Sequence, residues 1–205
     1  MLDVVCFGDS ITARKEGYPS PILTHKLASK LKNYRFINAG ISGNTTAQAM
    51  ERFEKDVLAK KPDIVTILFG ANDSSIHKFV ELDTFKQNIK EFTKRIGAEK
   101  TILITPAPVD EALQPNRSNE RLKQYAQAVK EVAEETGSHT IDFFTVLYLK
   151  PNYKELLIGE KNDGLHFGEA GYEILSDLIV QKLEEMNESN QSPGFLRRLF
   201  QRLFD

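Results

Sequence analysis

The sequence predicts an α/β fold of three layers (α/β/α), with helices on both faces of a doubly wound, five-stranded parallel sheet. Two observations predict it. Five apolar, β-rich runs alternate with segments of helical period, the pattern of a parallel sheet covered on both sides. The runs are also continuous rather than alternating in polarity, as strands buried on both faces require.

Taken in order, the first strand is expected over Leu2 to Phe7 and the second over Arg35 to Ala39, with a helical segment around His25 between them. Met50, Phe53 and Val57 then mark one face of a helix. The clearest strand is Ile64 to Phe69. Phe85, Ile89, Phe92 and Ile96 recur at four, three and four residues, a helical face behind Asp83 as cap. A fourth strand follows over Thr101 to Thr105, a helix through Leu122, Tyr125, Val129 and Val132, and a fifth strand over Thr140 to Phe143. Leu175, Leu178, Ile179, Leu183 and Met186 line the final amphipathic helix. These elements make one domain over 1–186, followed by a polar linker at 187–194 and a short tail at 195–205. Right-handed crossovers put a ligand site outside the carboxyl ends of the strands, where Gly8, Gly40, Gly43 and Gly70 fall. Any one of these glycines reads as turn chemistry; together, beside polar residues, they mark a site.

Composition excludes several classes of function. The chain has 205 residues, 40% hydrophobic and 27% charged, with a net charge of -2. That balance argues against nonspecific nucleic-acid binding, which needs many phosphates neutralised by Lys and Arg. The one cysteine, Cys6, excludes an internal disulfide framework and reads as a small core residue in an apolar strand. No Cys/His cluster has metal-ligand spacing, and neither a metal nor an organic cofactor is expected. No secretory leader is evident, and no apolar run approaches the ~20 residues that span a bilayer, so a cytoplasmic protein is expected.

Ser10 closes Gly8-Asp9-Ser10 directly after the first strand, a placement suited to a nucleophile. Acyl transfer needs in addition a base, a group that orients the base, and donors for a tetrahedral oxyanion. Asp163-Gly164-Leu165-His166 supplies the first two: His166 as base, and Asp163 three residues earlier to orient the imidazole. The backbone N–H groups of Ser10 and Gly43 and the side-chain amide of Asn72 supply the donors. Asp9 and Asp73, beside Ser10 and Asn72, are expected to bond backbone groups and fix the loops around the site.

Phe7-Gly8-Asp9-Ser10-Ile11-Thr12, Asn38-Ala39-Gly40-Ile41-Ser42-Gly43-Asn44-Thr45-Thr46, Gly70-Ala71-Asn72-Asp73 and Asp163-Gly164-Leu165-His166 together resemble the SGNH hydrolases, the GDSL esterase/lipase superfamily. The four letters of that name map onto Ser10, Gly43, Asn72 and His166 in the family's order. Residues Ile104 to Glu111 look like the branch of isoamyl acetate-hydrolysing esterases. The resemblance implies a flavodoxin-like sheet, a Ser10–His166–Asp163 triad, an oxyanion hole of Ser10, Gly43 and Asn72, and a small-molecule ester as substrate. Phe167-Gly168 departs from the proline-containing continuation of many relatives, with an effect expected on the local turn and the acyl pocket.

Competing readings stand beside this one. Ser42, in Gly40-Ile41-Ser42-Gly43-Asn44, nearly spells the nucleophile elbow Gly-x-Ser-x-Gly but ends in Asn44. His25 and His139 read as solvated, and His77 as a residue that lines the cleft or the surface. Loops at 12–20 and 106–118 are candidates to shape specificity. The same catalytic groups serve deacetylation of carbohydrates, thioester hydrolysis or lysophospholipid cleavage. The architecture alone also admits a silent binding module or a nucleotide-binding protein, though both phosphate-loop patterns are absent. In the tail, Phe195, Leu196, Leu199, Phe200, Leu203 and Phe204 alternate in pairs with Arg197, Arg198, Gln201 and Arg202, which in a helix gives one apolar and one basic face. Docking or self-association is favoured over weak contact with a membrane surface, which ~10 residues hold poorly alone.

Overall fold

The computed structural model describes residues 1–191. Strands β1 (Leu2–Gly8), β2 (Tyr34–Gly40), β3 (Ile64–Leu68), β4 (Thr101–Ile104) and β5 (His139–Ile141) form a five-stranded sheet in the order β2-β1-β3-β4-β5, parallel throughout. Between them run α1 (Ser10–Ala13), α2 (Ile22–Lys30), α3 (Thr46–Asp56), α4 (Leu82–Ile96), α5 (Asn119–Thr136), α6 (Phe143–Tyr148), α7 (Tyr153–Leu156) and α8 (Glu169–Gln191). The chain order reverses between β1 and β3, and a crevice opens at such a switch point beyond the carboxyl ends of the strands.

The period-two geometry of the strands divides the core between two faces. Val4 and Cys6 point to one side, where Ile22, Leu23 and Leu27 of α2 meet Leu175, Ile179 and Leu183 of α8. Val5 and Phe7 point to the other, against Phe53 of α3, Phe92 of α4 and Val129 of α5. All five residues of β3 are buried, which is why its sequence is apolar without alternation. Burial pushes the Cys6 thiol up to about 12, so it stays protonated as a small apolar residue.

An aromatic cluster ties the second face together beneath the crevice. The rings of Phe7, Phe53 and Phe92 lie 4.7 to 5.6 Å apart between centroids, and the Arg52 guanidinium stands 4.6 Å over Phe7. Arg52 also donates to Gly8 O at 2.9 Å, Ala39 O at 2.8 Å and Asn44 Oδ1 at 2.7 Å. One guanidinium thereby bonds carbonyls at the ends of two neighbouring strands and holds the loop after β2.

Beyond shifts of one residue at element ends, the structure departs from the sequence reading in three places. β5 ends at Ile141, because Asp142 accepts from the Thr145 N–H and caps α6, which takes Phe143 into a helix instead of the strand. Asp83 is not the cap of α4 but lies in its first turn, where its charge still favours the positive helix end; the cap position is Glu81. Helix α8 continues through Gln191, so residues 187–191 of the expected linker are helical. Ser189 Oγ donates back to Glu185 O, in keeping with an unbroken turn. The rest of the linker and the tail at 195–205 lie outside the described residues.

Phe92 is fully buried at the centre of the aromatic cluster. Phe92→Ala should cost about 3–5 kcal/mol in urea unfolding; a loss below about 1 kcal/mol would contradict this account of the core.

Candidate active site

Ser10 is the first residue of α1, placed there by two features. Asp9 caps the helix, its Oδ1 accepting from the Ile11 N–H at 2.9 Å. The helix also lies almost on the sheet: a Cβ at Gly8 would meet Thr12 Oγ1 at 2.1 Å and Leu68 O at 2.8 Å, and one at Gly40 would meet Ala13 N at 2.5 Å. Gly8 and Gly40 face each other in register on β1 and β2. Missing side chains at these two positions let α1 settle across the strand ends and aim the Ser10 hydroxyl into the crevice.

Asp163 and His166 come from the segment between α7 and α8, not from a strand end. His166 Nε2 lies 2.9 Å from Ser10 Oγ, and His166 Nδ1 lies 2.7 Å from Asp163 Oδ2. Asp163 Oδ1 accepts from the backbone N–H of both Leu165 and His166, at 3.1 and 2.9 Å, so the carboxylate is fixed by the turn it belongs to. With Nδ1–H donating to Asp163, Nε2 is left to accept the Ser10 proton. Burial pushes the His166 pKa down, the hydrogen bond and charge of Asp163 oppose it, and the net direction is below the ordinary value of 6.5. Burial pushes the Asp163 carboxyl up, but the bonds from His166 outweigh it and hold the group below the ordinary carboxylate value. The imidazole is thus neutral and its partner charged at neutral pH.

Asn72 follows β3 and is buried. Its amide donates to Asn44 O at 3.0 Å and Asp9 Oδ2 at 3.2 Å. Its Oδ1 accepts from Arg117 Nη2 at 3.3 Å; because a guanidinium can only donate, Arg117 decides which way the amide faces. Gly43 has φ +80°, a left-handed conformation that glycine adopts without strain, and lines the same cleft. Asp73 accepts from both the N–H and the hydroxyl of Thr46, at 2.8 and 2.6 Å, pinning the start of α3 to the loop after β3. Burial pushes its carboxyl up.

The structure therefore brings Ser10, Gly43, Asn72, Asp163 and His166 to one cleft of about 390 Å³. Ser42 also lines it, but the His166 ring bonds Ser10. A slightly larger hollow of about 420 Å³ lies beside α5, lined by Leu82, Lys123, Gln127 and Phe144 among others; no serine, cysteine or histidine lines it. His25 and His77 are exposed, and His139 begins β5. Phe167 is fully buried against Phe143 and Tyr172, so the departure after His166 packs the core under α8 and not the wall of the cleft.

Sequence reasoning missed Arg14, Gln114, Arg117 and Lys161, which also line the cleft. Gln114 Nε2 donates to Asp163 O at 2.6 Å, and its Oε1 accepts from Arg117 Nη1 at 2.8 Å, so the loop after β4 links the imidazole side to the amide side. The long, polar, proline-bearing stretch at 106–118 was the available signal. Among the described residues, no group of three His, Cys, Asp or Glu side chains could hold a metal ion, and no helix is long and apolar enough to cross a membrane.

Known proteins resemble the chain in both sequence and fold. The model of the GDSL-like Lipase/Acylhydrolase family matches residues 6–174. The isoamyl acetate-hydrolyzing esterase 1 homolog of Mus musculus is 31% identical over 199 residues, covering 84% of this chain and 77% of that protein. An acetylxylan esterase of Geobacillus stearothermophilus is 32% identical over 162 residues, covering 73% and 72%. Among solved structures, the lipase/acylhydrolase from Enterococcus faecalis superposes with a TM-score of 0.85 at 37% identity, covering 90% of this chain and 96% of that one.

Burial pushes the Asp9 carboxyl from its ordinary 3.8 to about 7, against the pull of the Ile11 N–H. A raised carboxyl contributes stability that is fully present below the unfolded value and lost as pH rises through the folded one. Between about pH 4 and 7, wild type should lose roughly 1 kcal/mol per pH unit to this group. In urea unfolding, the difference between wild type and Asp9→Asn should shift by about that slope in the variant's favour across the interval; a pH-independent difference would contradict it.

Proposed function

The chain belongs to the GDSL-like lipase/acylhydrolase family and is a carboxylic ester hydrolase; from that premise we propose that it cleaves small or medium carboxylic esters through an acyl-enzyme on Ser10. The observation that carries this reading is the continuous hydrogen-bonded chain from the Ser10 hydroxyl through the His166 ring to Asp163, at 2.9 and 2.7 Å.

In the proposed reaction Ser10 Oγ attacks the carbonyl carbon while its proton passes to His166 Nε2. Asp163 holds the Nδ1–H and stabilises the imidazolium that forms. The carbonyl oxygen, now an oxyanion, takes hydrogen bonds from the Ser10 and Gly43 N–H groups and the Asn72 amide. For Asn72 this means exchanging one of its present acceptors, Asn44 O or Asp9 Oδ2, for the developing charge, a stronger acceptor than a neutral carbonyl. Collapse expels the alcohol, which receives the proton from His166. A water activated by the same imidazole then releases the acid and restores the Ser10 hydroxyl. No step calls for a metal or an organic cofactor.

Similarity to an acetylxylan esterase supports a second substrate reading, the O-acetyl ester of a carbohydrate, which this chemistry serves equally. A panel of aryl esters of increasing acyl length, beside acetylated xylo-oligosaccharides, separates the two.

Ser10→Ala should abolish turnover of a chromogenic acetate, while Ser42→Ala should retain it. Asn72→Ala should lower kcat about 100- to 1000-fold with a smaller change in KM. Activity kept in Ser10→Ala and lost in Ser42→Ala would reverse the assignment of the nucleophile.

A further inference from the structure

The cleft around Ser10 is positive, although the whole chain has a formal net charge of -2. Arg14, Arg117 and Lys161 line it against a single carboxylate, Asp163, which is already bound to the His166 ring. The cations are not evenly spread. Arg14 directly follows α1, its backbone N–H donating to Ser10 O at 2.9 Å, and Lys161 stands two residues before Asp163. Glu16 draws these two segments together: one of its oxygens pairs with Arg14 and the other accepts from the Glu160 N–H at 2.8 Å. Both cations act on the His166 ring as neighbouring positive charges.

Arg117 belongs to the Asn72 edge, where it bonds the neutral Ala71 O, Gln114 Oε1 and Asn72 Oδ1 and faces the charges of Asp9 and Asp163. Arg14 is balanced by Glu16. Lys161 is exposed and forms no ion pair among the described residues. An unpaired ammonium thus stands at the imidazole edge of the cleft.

That edge has a defined place in the reaction. His166 returns its proton to the leaving oxygen, so the alcohol half of the ester must sit beside the imidazole, and therefore beside Lys161 and Arg14. We infer that the preferred substrate is an ester whose alcohol half carries an anionic group, a carboxylate or a phosphate, received by Lys161 with Arg14 alongside. This rests on the acyl-enzyme reading above and adds the substrate class. A cleft whose charge opposes that of the ligand gathers it from solution and raises the rate of capture, an effect that salt weakens.

The test compares 4-acetoxybenzoate and 4-acetoxyphenyl phosphate with the neutral 4-acetoxybenzamide, each rate divided by that of hydroxide hydrolysis to remove intrinsic reactivity. At about 20 mM salt, kcat/KM for at least one anion should exceed that for the amide by about tenfold or more, and the ratio should fall toward unity by about 0.5 M. The larger of the two ratios identifies carboxylate or phosphate. Lys161→Glu, a change at an exposed position, should lower the ratio about tenfold. Turnover of the amide with a ratio at or below unity for both anions, or a ratio that Lys161→Glu leaves unchanged, would overturn the inference alone. Turnover of none of the three would overturn the esterase reading and this inference with it.

Discussion

The contact between the Ser10 hydroxyl and the His166 ring, 2.9 Å long, joins residues 156 apart in sequence, and much of the polar structure around it holds its two ends in place. At one end, Asp9 caps α1, while the side-chain-free backbone at Gly8 and Gly40 lets that helix lie on the strand ends. At the other, Asp163 is fixed by the N–H groups of its own turn and by Gln114 on its carbonyl. Tyr172 joins the ends from below: its hydroxyl, on α8, donates to Ile11 O in α1 at 2.7 Å. A small displacement of either end would break a contact whose value lies in its geometry.

The strand order explains why these ends meet. Because β1 and β3 are neighbours while the chain leaves them on opposite faces, the loops after β1, β2 and β3 open onto one crevice, bringing Ser10, Gly43 and Asn72 together. Holding them costs the burial of charge. Asp9, Asp73, Arg52 and Arg117 all leave water to a large degree, and burial displaces the pKa of each toward its neutral form. Their hydrogen bonds offset the loss, and each set also fixes a loop: Arg52 the ends of β1 and β2, Arg117 the face of the Asn72 amide, Asp73 the start of α3. Stability and the shape of the site are therefore coupled through the same few polar groups.

Most of the architecture was legible in the sequence because buried parallel strands need unbroken apolar runs, and Ile64 to Leu68 has no other reading of comparable simplicity. The long helices were legible from their period. Less could be read where an element is too short to show one, as with α1, α6 and α7. β5 was read too long because Phe143 is as apolar as a strand residue, while the capping bond from Asp142 that turns it into a helix depends on backbone geometry. In the cleft, Ser10, Asp163 and His166 stood out by spacing and position. Arg117 and Lys161 did not, since each is one cation among 27 lysines and arginines and only the folded loops give it a place beside the site. Arg52 reads as an ordinary polar helix position until β1 and β2 are set side by side.

The assignment of Ser10 as nucleophile, facing the Gly43 and Asn72 donors, is tested by one covalent bond and the oxygen beside it. A crystal structure of the protein after reaction with diethyl 4-nitrophenyl phosphate should show phosphorus bonded to Ser10 Oγ, with the phosphoryl oxygen within hydrogen-bond distance of the Ser10 and Gly43 N–H groups and the Asn72 amide. Phosphorus on Ser42, or a Ser10 adduct whose phosphoryl oxygen points away from Gly43 and Asn72, would contradict it.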